Sequence, residues 1–204
     1  MAINLQKGQR ISLEKEAPGL SELMCGLGWD VADRGPWGFW KLFERAEDFD
    51  LDASVFCLNT EGRVLRKTDI IYYGNLHHPS GSIVHGGDNL TGEGDGDDEQ
   101  IFIDLQNIPQ EIVRLVVTVN IFDCRARAQD FQQVKNAFVR LVDRQTNREL
   151  ARYNLSGEAY CGMTGAILAQ IDRSPKGWQV EAMGTGLQVN DLKAIATTLK
   201  STLK

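Results

Sequence analysis

The sequence predicts an all-β protein, a two-sheet β-sandwich with one amphipathic helix at its C-terminus. Two observations carry that expectation. Short runs rich in Val, Ile, Leu and aromatic residues recur along the 204 residues, divided by Gly, Asp, Asn and Pro. Only near the end does the apolar spacing become i, i+3, i+4, i+7, at Leu192, Ile195, Ala196 and Leu199, with Asn190 as the expected cap.

Taken in order, residues 10–13 alternate briefly before the turn signal Pro18-Gly19, and residues 23–30 (LMCGLGWD) read as a strand ending in an acid. Residues 51–58 form the next strand. Asp50 and Asp52 lie two apart at its start, so they project from one face, opposite Leu51, Ala53 and Val55. Residues 69–74 (DIIYYG) make another strand, leading to Asn75 and to His77-His78. Adjacent side chains on an extended backbone point opposite ways, so that histidine pair is a poor chelate and reads as two surface imidazoles.

Residues 101–105 alternate Ile101, Ile103 and Leu105 with Phe102 and Asp104. The clearest strand is 112–122 (IVRLVVTVNIF). Val113, Leu115, Val117, Val119 and Ile121 line one face, and Arg114, Thr118 and Asn120 break the other, where Val116 and Phe122 also lie. One face is core and the other half-covered, as in a sheet packed on a second sheet. A helical turn is expected at 129–135, a hairpin from 136–143 and 148–155, and a last pair of strands, 164–173 and 178–184, joined by Ser174-Pro175-Lys176-Gly177.

Length and a hydrophobic fraction of 42% suit one core, hence a single domain over 1–204. No apolar run of 18 residues exists, so no transmembrane helix is expected. The opening MAINLQKGQR lacks the apolar stretch of a signal peptide, which makes the cytoplasm the expected location. Cys25, Cys57, Cys124 and Cys161 are scattered, without CxxC spacing, and read as reduced fillers. A pI near 5 and the lack of a basic stripe argue against nucleic acid as a partner.

Chemistry concentrates in residues 85–105, HGGDNLTGEGDGDDEQIFIDL. The chain has 22 basic and 28 acidic residues, and six acids fall between Asp88 and Glu99. Removing them leaves 22 against 22, so the net charge of −6 is the property of one loop. Carboxylates this close repel, and the interleaved glycines permit turns that crowd them further. A hard cation resolves the conflict. Ca²⁺ fits because it takes 6–8 oxygen ligands from carboxylates, amides, carbonyls and water. The loop is not an EF-hand: Leu90 and Gly92 stand where oxygen side chains are required, Glu93 replaces the turn glycine, and the flank is a strand. A solvated acidic loop without a ligand is the bland alternative. Asp50 and Asp52 are read as the second half of the cation site, against a solvated strand start.

Residues 35–47 (GPWGFWKLFERAE) carry Trp37, Phe39, Trp40 and Phe43. Two readings stand: an insertion folding its aromatics onto the sandwich, or an exposed patch for a protein partner or a peripheral membrane contact.

Several stretches together carry a family likeness over nearly the full length: APGL (17–20), GLGWD (26–30), FDLDAS (49–54), GDNLTGEGDGDDEQI (87–101), DFQQVKNAFVRLVD (130–143) and ELARYNLS (149–156). The chain resembles the TerD family of bacterial tellurium-resistance and stress proteins, and the aromatic insertion after GLGWD looks most like the TerZ branch. The resemblance implies a two-sheet sandwich that binds two Ca²⁺ ions through oxygen ligands of the acidic motifs. On matching positions these are Asp30, Asp50, Asp52, Asp88, Asn89, Gly94, Asp95, Asp97, Asp98 and Glu99, with Asp69 and Asn75 as secondary members. Gln132 departs from the family pattern, where glycine is frequent, and puts the local turn in question.

The function expected is that of a non-enzymatic, calcium-binding stress-response protein, a metal-gated binding or scaffold module. A metal-dependent phosphoester hydrolase is the first alternative; GxxxxGK[ST], G-x-S-x-G and HExxH are all absent, and no Lys or Arg sits among the acids in sequence to clamp phosphate. A module holding a nucleotide through bound Ca²⁺ is the second.

Overall fold

The strand Leu51–Leu58 shows how alternation becomes layers. Its Leu51, Ala53, Val55 and Cys57 enter the core between two sheets, while Phe56 and Leu58 face outward into a second apolar cluster. Arg114–Ile121 does the same, with Leu115, Val117, Val119 and Ile121 inward and Val116 outward. That second cluster needs a cover, and the C-terminal helix supplies it. The computed structural model describes residues 2–31, 49–87, 97–155 and 160–202.

The strands are β1 (Ile3–Asn4), β2 (Arg10–Ser12), β3 (Glu22–Val31), β4 (Leu51–Leu58), β5 (Ile70–Ile71), β6 (Ile83–His85), β7 (Glu99–Asp104), β8 (Arg114–Ile121), β9 (Val134–Asp143), β10 (Arg148–Asn154), β11 (Gly165–Ser174) and β12 (Gly177–Leu187). The helices are α1 (Leu13–Glu16) and α2 (Leu192–Thr202). One sheet runs β1-β10-β9-β3-β7-β6, the other β2-β12-β11-β8-β4-β5. Pairing is antiparallel except for β1 with β10. The expected two-sheet sandwich is the observed fold.

Both expected hairpins form, β9–β10 and β11–β12. The second turns at Gly177, whose φ of +95° favours glycine, and Ser174 Oγ donates to the Gly177 carbonyl at 2.7 Å. Ile195 and Leu199 of α2 are buried against Phe56, Leu58, Val116 and Ile167, with Leu192 and Ala196 partly buried beside them. The outer face of this sheet is therefore covered by helix at one end, more completely than its sequence suggested.

Local details differ from the sequence reading. The cap of α2 is Asp191, whose Oδ1 accepts from the Ala194 N–H at 2.8 Å, rather than Asn190. Residues 13–16, between the alternating run and the Pro18-Gly19 turn signal, form α1. Of the stretch 69–74 only Ile70–Ile71 pairs as strand, because Tyr72 and Asn75 close a turn through mutual backbone hydrogen bonds. The helical turn near 129–135 is a 3₁₀ turn over Phe131–Gln133, and it forms without the glycine usual in the family. Asp130 accepts from the Gln132 N–H, and Gln133 reaches back to the Asp130 N–H. No helix among the described residues is long and apolar enough to cross a membrane.

Candidate cation site at the end of the sandwich

Three acids lead into β7, and the fold holds each differently. The Asp97 side chain is fully buried and bidentate with Arg140: Nε to Oδ1 at 2.7 Å and Nη2 to Oδ2 at 2.9 Å. Arg140 lies on β9, and β3 runs between it and β7, with Gly26 opposite Gln100 on one side and Arg140 on the other. The pair crosses over Gly26, where an added Cβ would overlap the Asp97 carboxylate. Glycine in the GLGWD stretch thus seats an ion pair. The hydrogen bond that Arg140 donates to Asp97 raises the Arg140 pKa, and Glu149 adds a second contact at 3.3 Å. Glu149 is itself held below the usual carboxylate range, first by its hydrogen bond from Arg152 and then by Arg140.

Asp98 ties the loop to β3. Its Oδ2 accepts from the Trp29 N–H at 2.9 Å, and its own N–H donates to the Leu27 carbonyl at 2.8 Å. Glu99 crosses to the other sheet: Oε2 accepts from the Ala53 N–H at 2.6 Å and stands 3.7 Å from His85 Nε2. An ionised carboxylate at 1% exposure needs such donors, since burial without them costs several kcal/mol (on the order of the desolvation of one ion).

Asp50 and Asp52, at the start of β4, are both buried. The Asp50 carbonyl accepts from the Phe122 N–H, and Asp52 Oδ2 accepts from Asn120 Nδ2 at 3.1 Å. The solvated strand start is thereby excluded for these two side chains.

The secondary members serve a turn. Asp69 Oδ2 accepts from the Arg66 N–H at 2.9 Å, and Oδ1 lies 3.4 Å from His78 Nε2. Asn75 Nδ2 donates to the Ile70 carbonyl at 2.7 Å. His78 is buried beside Asp69 and bonds Ser80 through Nδ1, so only His77 is the exposed imidazole the sequence suggested for both.

Asp88, Asn89, Gly94 and Asp95, the Asp30 side chain and the aromatic residues Trp37, Phe39, Trp40 and Phe43 lie outside the described residues. Among the described residues no three His, Cys, Asp or Glu side chains gather in an arrangement that could hold a metal ion. The carboxylates of Asp50, Asp52, Asp98 and Glu99 nevertheless offer oxygen donors, which is what a hard divalent cation requires. Sequence reasoning missed Arg140. Its alternation on 136–143 marks it as outward-facing, but nothing local pairs it with an acid 43 positions away.

The chain matches the TerD domain over residues 1–199. It is 47% identical to stress response protein SCP2 of Bacillus subtilis over 196 residues, covering 96% of this chain and 98% of that protein. Against tellurium resistance protein TerZ of Serratia marcescens it is 42% identical, covering 89% of each chain. A crystal structure of a homologue of telluride resistance protein (TerD) from Streptomyces coelicolor superposes with a TM-score of 0.67 at 22% identity, over 86% of this chain and 95% of that one, which shows the shared fold. These identities fix a family rather than a branch within it. The chain belongs to the TerD family of tellurium-resistance and general stress proteins.

Proposed function

We propose that this protein is a calcium-binding, non-enzymatic member of its family, a module whose acidic loop orders when Ca²⁺ arrives and so gates a binding surface. The observation that carries the reading is the charge distribution: the whole net charge of −6 resides in one glycine-rich loop. That loop leads into Asp97, Asp98 and Glu99, and the buried Asp50 and Asp52 stand at the start of β4, where Glu99 bonds Ala53. The ligands would be drawn from Asp30, Asp50, Asp52, Asp88, Asn89, Gly94, Asp95, Asp98 and Glu99. Asp97 would take part only by sharing its carboxylate with Arg140. Two Ca²⁺ ions would bring +4 against six acids and relieve their repulsion. Names of relatives add tellurium resistance and stress response as the setting. The thiols of Cys25, Cys57, Cys124 and Cys161 are all free, in keeping with a reducing, cytoplasmic location.

The test is a thermal melt of chelator-stripped protein with Ca²⁺, Mg²⁺ or neither. At a hundredfold excess over Kd, Ca²⁺ stabilises by about 2.7 kcal/mol through linkage. Mg²⁺ gives less, because it demands a smaller octahedral shell. Replacing Asp88 and Asp95 with their amides abolishes the Ca²⁺ shift if the loop supplies ligands. An unchanged shift refutes that ligand set, and no shift in the parent protein refutes the proposal.

A further inference from the structure

A second acidic feature lies on the outer face of the β4–β8 sheet, beside the N-terminus of α2. It is a cleft of about 200 Å³ lined by Asp52, Asp123 and Asp191, with Tyr72, Tyr73 and Phe122 as walls. Tyr73 and Phe122 are 42% and 40% exposed, two of the few large apolar side chains left open among the described residues. The rings form a continuous edge-to-face wall, with centroids 5.3 Å apart for Tyr72–Tyr73 and 6.1 Å for Tyr73–Phe122.

Two further groups point to a ligand. Ser54 is fully buried and Asn120 is 6% exposed; both line the cleft, and neither the Ser54 hydroxyl nor the Asn120 carboxamide oxygen has a hydrogen-bond partner among the described residues. Buried polar atoms without partners are costly, so a donor from outside would repay that cost. No Lys or Arg is among the described residues lining the cleft. Arg127, which does not line the cleft, lies 5.7 Å from the Phe122 centroid and shows that this ring accepts a cation–π partner.

We infer that this cleft binds an organic cation, a guanidinium or alkylammonium group of side-chain size. Size and chemistry both select for it. The volume falls below the range of about 300–1,000 Å³ usual for drug-sized ligands, which favours a single side chain or small amine over a nucleotide. The three carboxylates do not converge as metal ligands, whereas a delocalised cation can contact separated acids and aromatic faces together. Asp191 is the cap of α2, so its carboxylate also offsets the positive end of the helix that would otherwise repel such a group. The cation is either a free amine or the Arg or Lys side chain of a partner protein.

The experiment is a calorimetric titration of the full chain with Nα-acetyl-arginine amide, with the neutral isostere Nα-acetyl-citrulline amide as control, in Ca²⁺ and again in chelator. Saturable binding of the arginine probe alone is expected, weakened on the order of tenfold in Asp123→Asn and in Tyr73→Ala with unchanged melting temperatures. Asp191→Asn keeps the cap and is expected to weaken binding similarly. Equal binding of citrulline, no binding at 10 mM (roughly the weakest affinity worth a site, below 1 mM-type energies), or binding untouched by these variants overturns the inference. Asp52 is shared with the proposed calcium ligands, so competition by Ca²⁺ overturns the inference only if it persists when Asp88 and Asp95 are replaced by their amides, since the cleft would then be a metal site in its own right. Agmatine against an arginine-containing peptide distinguishes the sources: tighter binding of agmatine assigns a free amine, and tighter binding of the peptide assigns a partner side chain. Because both arms run with and without Ca²⁺, failure here is separable from failure of the calcium proposal.

Discussion

The two sheets of the sandwich treat their outer faces in opposite ways. On the β9–β3–β7 sheet that face is paved with charge laid over aromatics. Arg152 stacks 4.0 Å above Phe138, Arg144 lies 4.7 Å above Phe102, and Arg140 clamps Asp97. On the β8–β4 sheet the face is apolar under α2 at one end, and polar at the other, where Asp52, Ser54, Thr118 and Asn120 are buried. A charged face serves a sheet whose outer surface meets water; a buried polar row beside a helix serves no packing need. The contrast marks where the proposed chemistry would lie: where the second sheet runs out of helix, and where Asp97 and Asp98 lead into β7 of the first.

The largest effect should come from breaking the buried ion pair. Arg140→Met leaves Asp97 buried without its guanidinium and is expected to cost about 3–5 kcal/mol in a chelator melt. If the loop binds Ca²⁺, added calcium restores part of that loss; an equal loss with and without calcium would detach the pair from the loop. Next comes the helix-covered face. Ile195→Ala is expected to cost about 2–4 kcal/mol by urea unfolding, whereas Phe102→Ala, on the solvent-facing sheet, should cost about 1 kcal/mol. Comparable losses would erase the distinction between the two faces.

A smaller effect concerns acid. Glu149 has its pKa lowered in the folded state from 4.5, so its contribution is present above that value and is lost as pH falls through the folded value. Glu149→Gln should therefore flatten the melting temperature below pH 4.5 and leave its course above that pH nearly parallel to the parent. The smallest expectation is chemical. Burial, with Asp97 adding, pushes the Cys25 thiol up to about 12, and Cys57 is raised by burial as well, while Cys161 is exposed. One thiol should react rapidly with an aromatic disulfide reagent at pH 8, and the buried three only on unfolding. Two fast thiols would mean that a sandwich face opens.

Much of this arrangement was legible in the chain. Period-two runs located β4, β8 and β9–β10, because half-buried strands write their burial into alternation. The i, i+3, i+4 stripe located α2. Acids crowded between glycines marked residues 88–99 without any structural knowledge. What escaped has a common physical cause: it depends on pairs far apart in sequence. Arg140 meets Asp97 only because β3 lies between their strands and offers Gly26 at the crossing. His78 is buried only because the turn after β5 folds it onto Asp69, so two adjacent histidines that look alike in sequence end in different environments. The aromatic wall of Tyr72, Tyr73 and Phe122 likewise draws on two segments, with the Asp191 cap from a third.

The most direct test of the central claim is a calorimetric Ca²⁺ titration of the chelator-stripped protein, with Mg²⁺ as control. Two Ca²⁺-selective binding events, both lost when Asp88 and Asp95 are neutralised, are the predicted result. A flat titration would mean that the loop carries its six acids without an ion, and the calcium reading would be contradicted.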